Sequence, residues 1–305
     1  MEIVAPPGVT GAVALALAWA LDARFGELPS RWHPVAWLGA LLALPGRALP
    51  RLPPVLAFVA GAAAWWAVVG AVAWAAWWLQ QGLLGLPWWA SIPLIALALK
   101  PSFAWRMLKD EVRAVEAAFV GGLPAARDRL ARLCSRDVGT LDATAVRETA
   151  IETLAENFND SVVAPLFWFV VAGLPGAWAW RAVNTMDAMW GYRGRWEWAG
   201  KFAARADDLL AWVPARLSAA LLWLPHIGWG ALRGEASRTP SPNGGWPMAA
   251  VALRLDVRLS KPGVYVLNAS GRPADAGAVA AALRTVEHGA RWAFVLALAA
   301  TLLKA

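Results

Sequence analysis

Residues 52–99 read LPPVLAFVAGAAAWWAVVGAVAWAAWWLQQGLLGLPWWASIPLIALAL, 48 positions without a charged side chain. A single helix needs about 20 apolar residues to cross the hydrocarbon core of a bilayer. The stretch is therefore long enough for two crossings, a transmembrane hairpin over residues 53–99. "PVLAFVAGAAAWWAVVGAVAWAAWWLQ" is the first arm and "LLGLPWWASIPLIALAL" the second, with Gln80–Gln81–Gly82 as the expected turn. Trp74, Trp77, Trp78, Trp88 and Trp89 gather about that turn, where an interfacial aromatic belt would lie.

The rest of the composition agrees with a membrane protein. Of the 305 residues 59% are hydrophobic and 16% charged, with a mean hydropathy of +0.47; soluble domains carry about 25% charged residues. Cys134 is the single cysteine, which excludes an internal disulfide and a cysteine-built metal site. The N-terminus lacks the basic cluster of a secretory signal. Its "VTGAVALALAWAL" predicts a short apolar helix that spans only with help from residues 3–9. A net charge of +7 suits anionic lipid, the positive-inside rule or phosphorylated substrates. The basic residues are not interleaved with aromatics as on a nucleic-acid surface, so no nucleic-acid partner is expected.

The expected fold class is all-α: a polytopic integral membrane protein of about 4–5 membrane helices plus a re-entrant segment and cytoplasmic helical loops. It forms a single membrane-embedded domain over 1–305. Residues 100–160 are polar and read as cytoplasmic helices: "FAWRMLKDEVRAVEAAFV", "PAARDRLARLCSRD" and "DATAVRETAIETLAENFND". Residues 161–232 hold broken and spanning helices. Pro165, Gly173, Pro175 and Gly176 interrupt the uncharged run 161–180, which allows either a crossing or a re-entrant hairpin. Residues 233–290 read as a cytoplasmic loop region and 291–304 as a last, short membrane helix. Loops 22–51 and 100–160 flank the uncharged hairpin on one side and are rich in Arg and Lys, which places both in the cytoplasm.

Glu148, Glu152, Glu156 and Asp160 recur every four residues, an acidic stripe along one helix face with no Lys or Arg three or four residues away within that helix. For Glu148 the expectation is a solvated face. Glu156, Asn157 and Asp160 instead abut "SVVAPLFWFVV", where a carboxylate is costly to dehydrate. Two carboxylates and an amide oxygen within one turn suit Mg²⁺, which takes hard oxygen ligands and bridges to phosphates. A second cluster is "RAVNTMDAMWGYRGRWEWAGKFAARADDLLAWVPARL". Asn184 and Asp187 share a face if that piece is helical, and Asp207–Asp208 read as opening an apolar helix. One aspartate suffices as a cap, so the pair suggests more. Arg181, Arg193, Lys201, Arg205 and Arg216 surround these acids, a mixture suited to gripping phosphate oxygens beside a metal. His33 in "RWHPVAWLG" precedes a proline, and "RTPSPNGGWPMAA" is a Pro/Gly loop whose N–H groups could cradle an anion. It is not a P-loop.

In order along the chain, Asp22…Gly26…"HPV", "AEN" with Asp160 and "APLF", "NTMDAMWGYR", "DDLLAWVPARL" and "SPNGGWPMAA" resemble the CobD/CbiB family, the adenosylcobinamide-phosphate synthases of cobalamin biosynthesis. The resemblance covers about residues 20–268. It implies a multi-pass protein of the cell (inner) membrane with its active site facing the cytoplasm. The reaction it implies joins the propionate carboxyl of adenosylcobyric acid to (R)-1-amino-2-propanol phosphate, or the free amino alcohol, with ATP as co-substrate and Mg²⁺ as cofactor. Catalytic roles then fall on Glu156, Asn157, Asp160, Asp187, Asp208 and His33. Arg181, Asn184, Tyr192, Arg193, Lys201, Arg216, Ser241 and Asn243 fall in nucleotide and substrate contacts, and Glu156, Asp160, Asp187, Asp207 and Asp208 are the metal donors. The implied partners are the corrinoid, the amino-alcohol phosphate and the bilayer, with a homo-oligomer or a complex with other corrinoid-pathway enzymes open. The chain departs from the family pattern at Ala188, where serine is usual, and is looser after Lys261. Two rival readings are a Mg²⁺-dependent intramembrane prenyl- or phosphatidyl-transferase, which would show paired aspartates on two helices, and a non-catalytic membrane sensor, which has no need of so many acids and arginines.

Overall fold

A computed structural model describes residues 7–223 and 226–304. In chain order the helices are α1 (Pro7–Phe25), α2 (Pro34–Ala43), α3 (Pro54–Leu84), α4 (Trp88–Leu99), α5 (Trp105–Ala118), α6 (Leu123–Leu130), α7 (Ala143–Phe158), α8 (Ala164–Trp190), α9 (Lys201–Leu210), α10 (Trp212–Leu222), α11 (Trp229–Ala236), α12 (Gly245–Leu255) and α13 (Ala276–Leu302). A π-helical turn, Asn159–Val163, follows α7. Strands β1 (Leu259–Lys261) and β2 (Tyr265–Leu267) pair antiparallel as the one small ribbon among the described residues. The protein is an all-α membrane protein. Gly8–Phe25, Pro54–Leu84 and Ala143–Trp190 are long and apolar enough to cross a bilayer, and α10 is a shorter apolar helix.

The chain divides into two compact units. One comprises the chain up to Ala104, Ala164–Ala211 and the end from Phe294; the other comprises Trp105–Val163 and Trp212–Ala293.

In the first unit α3 is the long element. Pro54 starts it at a position where the missing N–H costs nothing, and no proline interrupts it before Pro87. Its 31 residues make a rod about 46 Å long. The helix runs through Gln80–Gln81–Gly82, so the turn of the hairpin falls at Gly85–Pro87 instead. Gln80 has another duty. Its Oε1 accepts the N–H of Leu174 at 2.7 Å.

That contact marks the break in α8. Ala172 and Gly173 leave helical geometry, with Gly173 at φ +68° and ψ −150°, a conformation essentially closed to side-chain-bearing residues. The two arms fold back on each other. Trp168 packs with Ala164, Trp180 and Ala211 in one cluster, and a Cβ on Gly176 would overlap the Trp168 carbonyl. A straight helix would hold residues 164 and 180 about 24 Å apart. Of the two readings left open for 161–180, the structure shows the hairpin. Its tip is capped from neighbouring helices: Gln80 takes the first N–H of the second arm, and Lys304 Nζ donates to the carbonyls of Val170 and Val171. The second arm returns antiparallel along α3. Val183, Met186 and Trp190 share a core cluster with Trp65 and Val69 of α3, Leu38 and Leu42 of α2, and Ala199 and Ala203.

In the second unit, α5 lays Leu108, Val112 and Val115 inward, four and three residues apart. Arg147 of α7 donates two parallel hydrogen bonds to the Glu116 carboxylate, at 2.7 and 2.8 Å, and lies over the Phe119 ring. The region expected as cytoplasmic loop contains α11, α12 and the ribbon, and the last helix begins at Ala276, well before 291. The short helix expected over 291–304 is the end of a 27-residue one.

Candidate functional site

The acidic stripe changes character along α7. Glu148 and Glu152 are 1% and 2% exposed. Glu148 meets Arg258 at 3.3 Å and accepts the Ser260 hydroxyl, while Glu152 meets Arg136 at 2.8 Å. Arg136 also donates to Thr149 at 2.6 Å and to the Ser260 carbonyl. The solvated face expected for Glu148 is thus a buried, paired one. Its cations come from 110 residues downstream and from the loop before α7, which helix-local spacing could not show. These pairs bolt β1 to α7. Across the ribbon, Tyr265 is held as a neutral phenol, its pKa raised first by burial and then by the Glu152 and Glu156 carboxylates.

Glu156, one turn on, is exposed. A Cβ on Gly244 would sit 3.0 Å from its Oε1, so the carboxylate looks onto the backbone of the "SPNGG" loop. Asn157 turns its amide back to the Thr153 carbonyl at 3.0 Å, leaving its side-chain oxygen as an acceptor. At the π turn one extra residue enters the helical ladder and re-aims the side chains beyond it. There Asp160 accepts from Asn159 Nδ2 at 2.7 Å.

The loop is built locally. Ser241 Oγ accepts the N–H groups of Asn243 and Gly244 at 3.2 and 3.0 Å, and Thr239 Oγ1 donates to the Ser241 carbonyl. Gly245 has no room for a side chain beside the Ala236 carbonyl. Arg216 of α10 donates to Asn243 Oδ1 at 2.6 Å and to the Pro242 carbonyl at 3.1 Å, its guanidinium between the Trp212 and Trp246 rings. Five of the sequence-selected residues, Glu156, Asp160, Arg216, Ser241 and Asn243, therefore build one region of the second unit, with Asn157 on the same turn.

The other candidates belong to the first unit. Arg181 and Asn184 face each other on the second arm of α8 at 3.5 Å. The Asp187 carbonyl accepts the Gly191 N–H at 2.7 Å, and a Cβ on Gly191 would strike the Asp187 carboxylate. Tyr192 and Arg193 lie exposed in the following segment. Lys201 pairs with Glu197 at 3.6 Å and lies over Trp198. Asp207 and Asp208 do not open a helix. They lie in the last turn of α9, whose carbonyl end repels a carboxylate, so capping does not account for them. Burial pushes the Asp208 carboxyl above its ordinary value, with Arg205 pulling the other way.

His33 is held by local contacts at the start of α2. Its Nδ1 accepts the Val35 N–H at 3.2 Å, capping α2, and its Nε2 meets Glu27 at 2.7 Å. Lys100, 7% exposed, joins Glu27 at 2.5 Å and Asp22 at 3.1 Å. Burial raises the Glu27 carboxyl, but the His33 hydrogen bond and the Lys100 charge outweigh it and hold the pKa below the usual value. Glu27 and Lys100 were missed by sequence reading, because 73 residues separate them. Asn159 and Ser218 were missed as well. Among the described residues no three His, Cys, Asp or Glu side chains form a metal-binding group. The acids instead offer one or two oxygens at a time, the set Mg²⁺ uses when phosphates complete its shell.

A family model described as CobD/Cbib protein matches residues 15–291, which include every candidate from His33 to Asn243. The chain belongs to the CobD/CbiB family. The probable cobalamin biosynthesis protein CobD of Thermococcus kodakarensis is 41% identical over 257 residues, 82% of each chain. The cobalamin biosynthesis protein CobD of Rhodobacter capsulatus is 38% identical over 288 residues, 90% of this chain and 87% of the relative. That of Dehalococcoides mccartyi is 35% identical over 272 residues, 84% and 86%. No solved structure matches. The CobD/CbiB match spans both units, so each group of candidates lies in the shared part of the family chain.

Proposed function

We propose that this CobD/CbiB-family protein is an enzyme of cobalamin biosynthesis, an ATP-dependent amide ligase joining adenosylcobyric acid to (R)-1-amino-2-propanol phosphate at the cytoplasmic face of the cell membrane. The observation that carries the reading is the open carboxylate of Glu156, set beside Asp160 and against the Ser241–Gly244 loop that Arg216 braces. A carboxylate does not react with an amine unassisted. ATP would transfer its γ-phosphoryl group to the propionate, giving an acyl phosphate and ADP. The amine nitrogen then bonds to the acyl carbon, and phosphate and a proton depart.

In that chemistry two sets of oxygen donors would serve Mg²⁺, Glu156 and Asp160 in the second unit and Asp187, Asp207 and Asp208 in the first. The ion would supply charge neutralisation at the phosphate oxygens. Arg181, Arg193 and Lys201 would grip phosphate oxygens. Arg216 shapes the loop, since two of its bonds are spent on the Pro242 carbonyl and the Asn243 side chain. Tyr192 and Asn184 would contact substrate, and His33 would fix the entry to α2.

The test is ligation by purified protein in nanodiscs with corrinoid acid, amino-alcohol phosphate, ATP and Mg²⁺, read by product mass. Glu156→Gln and Asp160→Asn are expected to lose at least about 100-fold in turnover while eluting as folded protein, the loss of several kcal/mol of charge stabilisation. Wild-type turnover in both variants, or no ligation by the wild type, would sink the reading.

A further inference from the structure

The π turn that carries Asp160 is backed by two polar side chains for which the motifs give no role. Asn159 is 2% exposed and Ser218 of α10 fully buried. Asn159 Nδ2 lies 2.7 Å from Asp160 Oδ1, and Ser218 Oγ lies 3.1 Å from Asn159 Oδ1. The Ser218 hydroxyl also lies 2.9 Å from the Pro214 carbonyl.

Donor and acceptor rules fix the direction of this chain. An ionised carboxylate only accepts, so Asn159 presents its NH₂ to Asp160 and its carbonyl to Ser218. The Pro214 carbonyl also only accepts, so the one hydroxyl hydrogen of Ser218 is shared between it and the Asn159 carbonyl. Donors therefore run in one sense, from α10 through the amide to the carboxylate. The amide cannot flip without facing one carbonyl-type oxygen with another in a buried place, where unpaired polar atoms are expensive.

We propose that Ser218 and Asn159 form a positioning relay that orients Asp160 toward a phosphate-bound divalent cation. The inference rests on the reading of Asp160 as a metal donor in the ligation chemistry. Outer partners of this kind orient a ligating group and tune its basicity, and their loss typically costs 10–100-fold in metal affinity. Neither residue would touch the ion or the reacting atoms; each would act through Asp160.

The experiment reads metal binding directly. Mn²⁺ replaces Mg²⁺, with a non-hydrolysable ATP analogue, on the full chain in nanodiscs, and bound Mn²⁺ is measured by electron paramagnetic resonance. Ser218→Ala, chosen because the smaller residue fits the packed α10, is expected to weaken Mn²⁺ about 10-fold with unchanged elution and unfolding temperature. Ser218→Thr, which keeps a hydroxyl, is expected to bind like the wild type, and Asn159→Leu to behave as Ser218→Ala or worse. Ser218→Ala binding like the wild type while Asp160→Asn binds poorly would overturn the relay and leave Asp160 a ligand. Equal loss in Ser218→Ala and Ser218→Thr would reduce the pair to packing and overturn it too. Absence of Mn²⁺ binding by the wild type, or undiminished binding by Asp160→Asn, would remove the relay together with the metal-donor reading.

Discussion

Asp208 shows what a single residue can disclose about its role. It stands in the last turn of α9, where the helix dipole opposes it, and burial raises its carboxyl pKa against the pull of Arg205. A raised value in the folded state means that folding favours the protonated form. The cost to stability is absent below the ordinary value of 3.8, grows as pH climbs through it, and is complete above the raised folded value. Asp208→Asn is therefore expected to raise stability at pH 7 by less than about 1 kcal/mol, because the group is only partly buried, while lowering ligation. The two proteins should converge below pH 3.8. A variant less stable than the wild type at pH 7 would make Asp208 a structural group after all. The sequence showed an acidic pair beside an apolar helix but could not show at which helix end it lay. The boundary between α9 and α10 is a one-residue step at Ala211, and Pro214, in the first turn of α10, does not show on which side of the step the pair lies.

At the scale of an element, the break in α8 was legible in kind and incomplete in detail. Gly and Pro at 173, 175 and 176 announce an interruption, yet they do not say whether the chain crosses or reverses. The deciding contacts are long-range: Gln80 and Lys304, 94 and 134 residues from their hairpin partners, satisfy the backbone groups exposed by the reversal. Inside a membrane protein such groups have no water to turn to. Gln80→Leu leaves the Leu174 N–H bare and is expected to cost about 1–3 kcal/mol, and Lys304→Met, whose bonds to the Val170 and Val171 carbonyls are exposed, to cost less. Gly173→Ala should cost at least as much as Gln80→Leu, since alanine would meet the Gln80 side chain at φ +68°. Unfolding in mixed micelles measures all three. Unchanged stability in both Gln80→Leu and Lys304→Met would mean that the tip does not depend on these caps. The same distance problem hid Glu27 with Lys100 and Glu148 with Arg258: charge pairing within helices is readable from spacing, and pairing across the fold is not.

For the whole molecule, the reversal in α8 changes what the charge pattern predicts. If 161–180 crossed the bilayer once, Asp187, Arg193 and Lys201 would face away from the loops assigned to the cytoplasm by their Lys and Arg. Within the first unit the chain instead comes back. Trp190, Ala199 and Ala203 share a core with Leu38, Leu42 and Leu49, and Trp196 covers Gly46, so residues 183–203 lie at the same end as residues 34–51. The opposite end holds Gly8, Gln80, Leu84 and the hairpin tip. If residues 22–51 face the cytoplasm, as their positive-inside bias predicts, Asp187, Arg193 and Lys201 are expected on that side as well. The prediction is tested in a Cys134→Ser background, because the native thiol is half-buried and would label. Single cysteines go to Gly85 in the hairpin turn, to exposed Asp128 in α6 and to exposed Arg195 beside the second cluster. In intact cells an impermeant maleimide is expected to label the cysteine at 85 alone, with 128 and 195 reacting only after permeabilisation. Labelling at 195 together with 85 would put the second acidic cluster outside, beyond the reach of cytoplasmic ATP. Only Glu156 and Asp160 would then remain as candidates for the ligation chemistry.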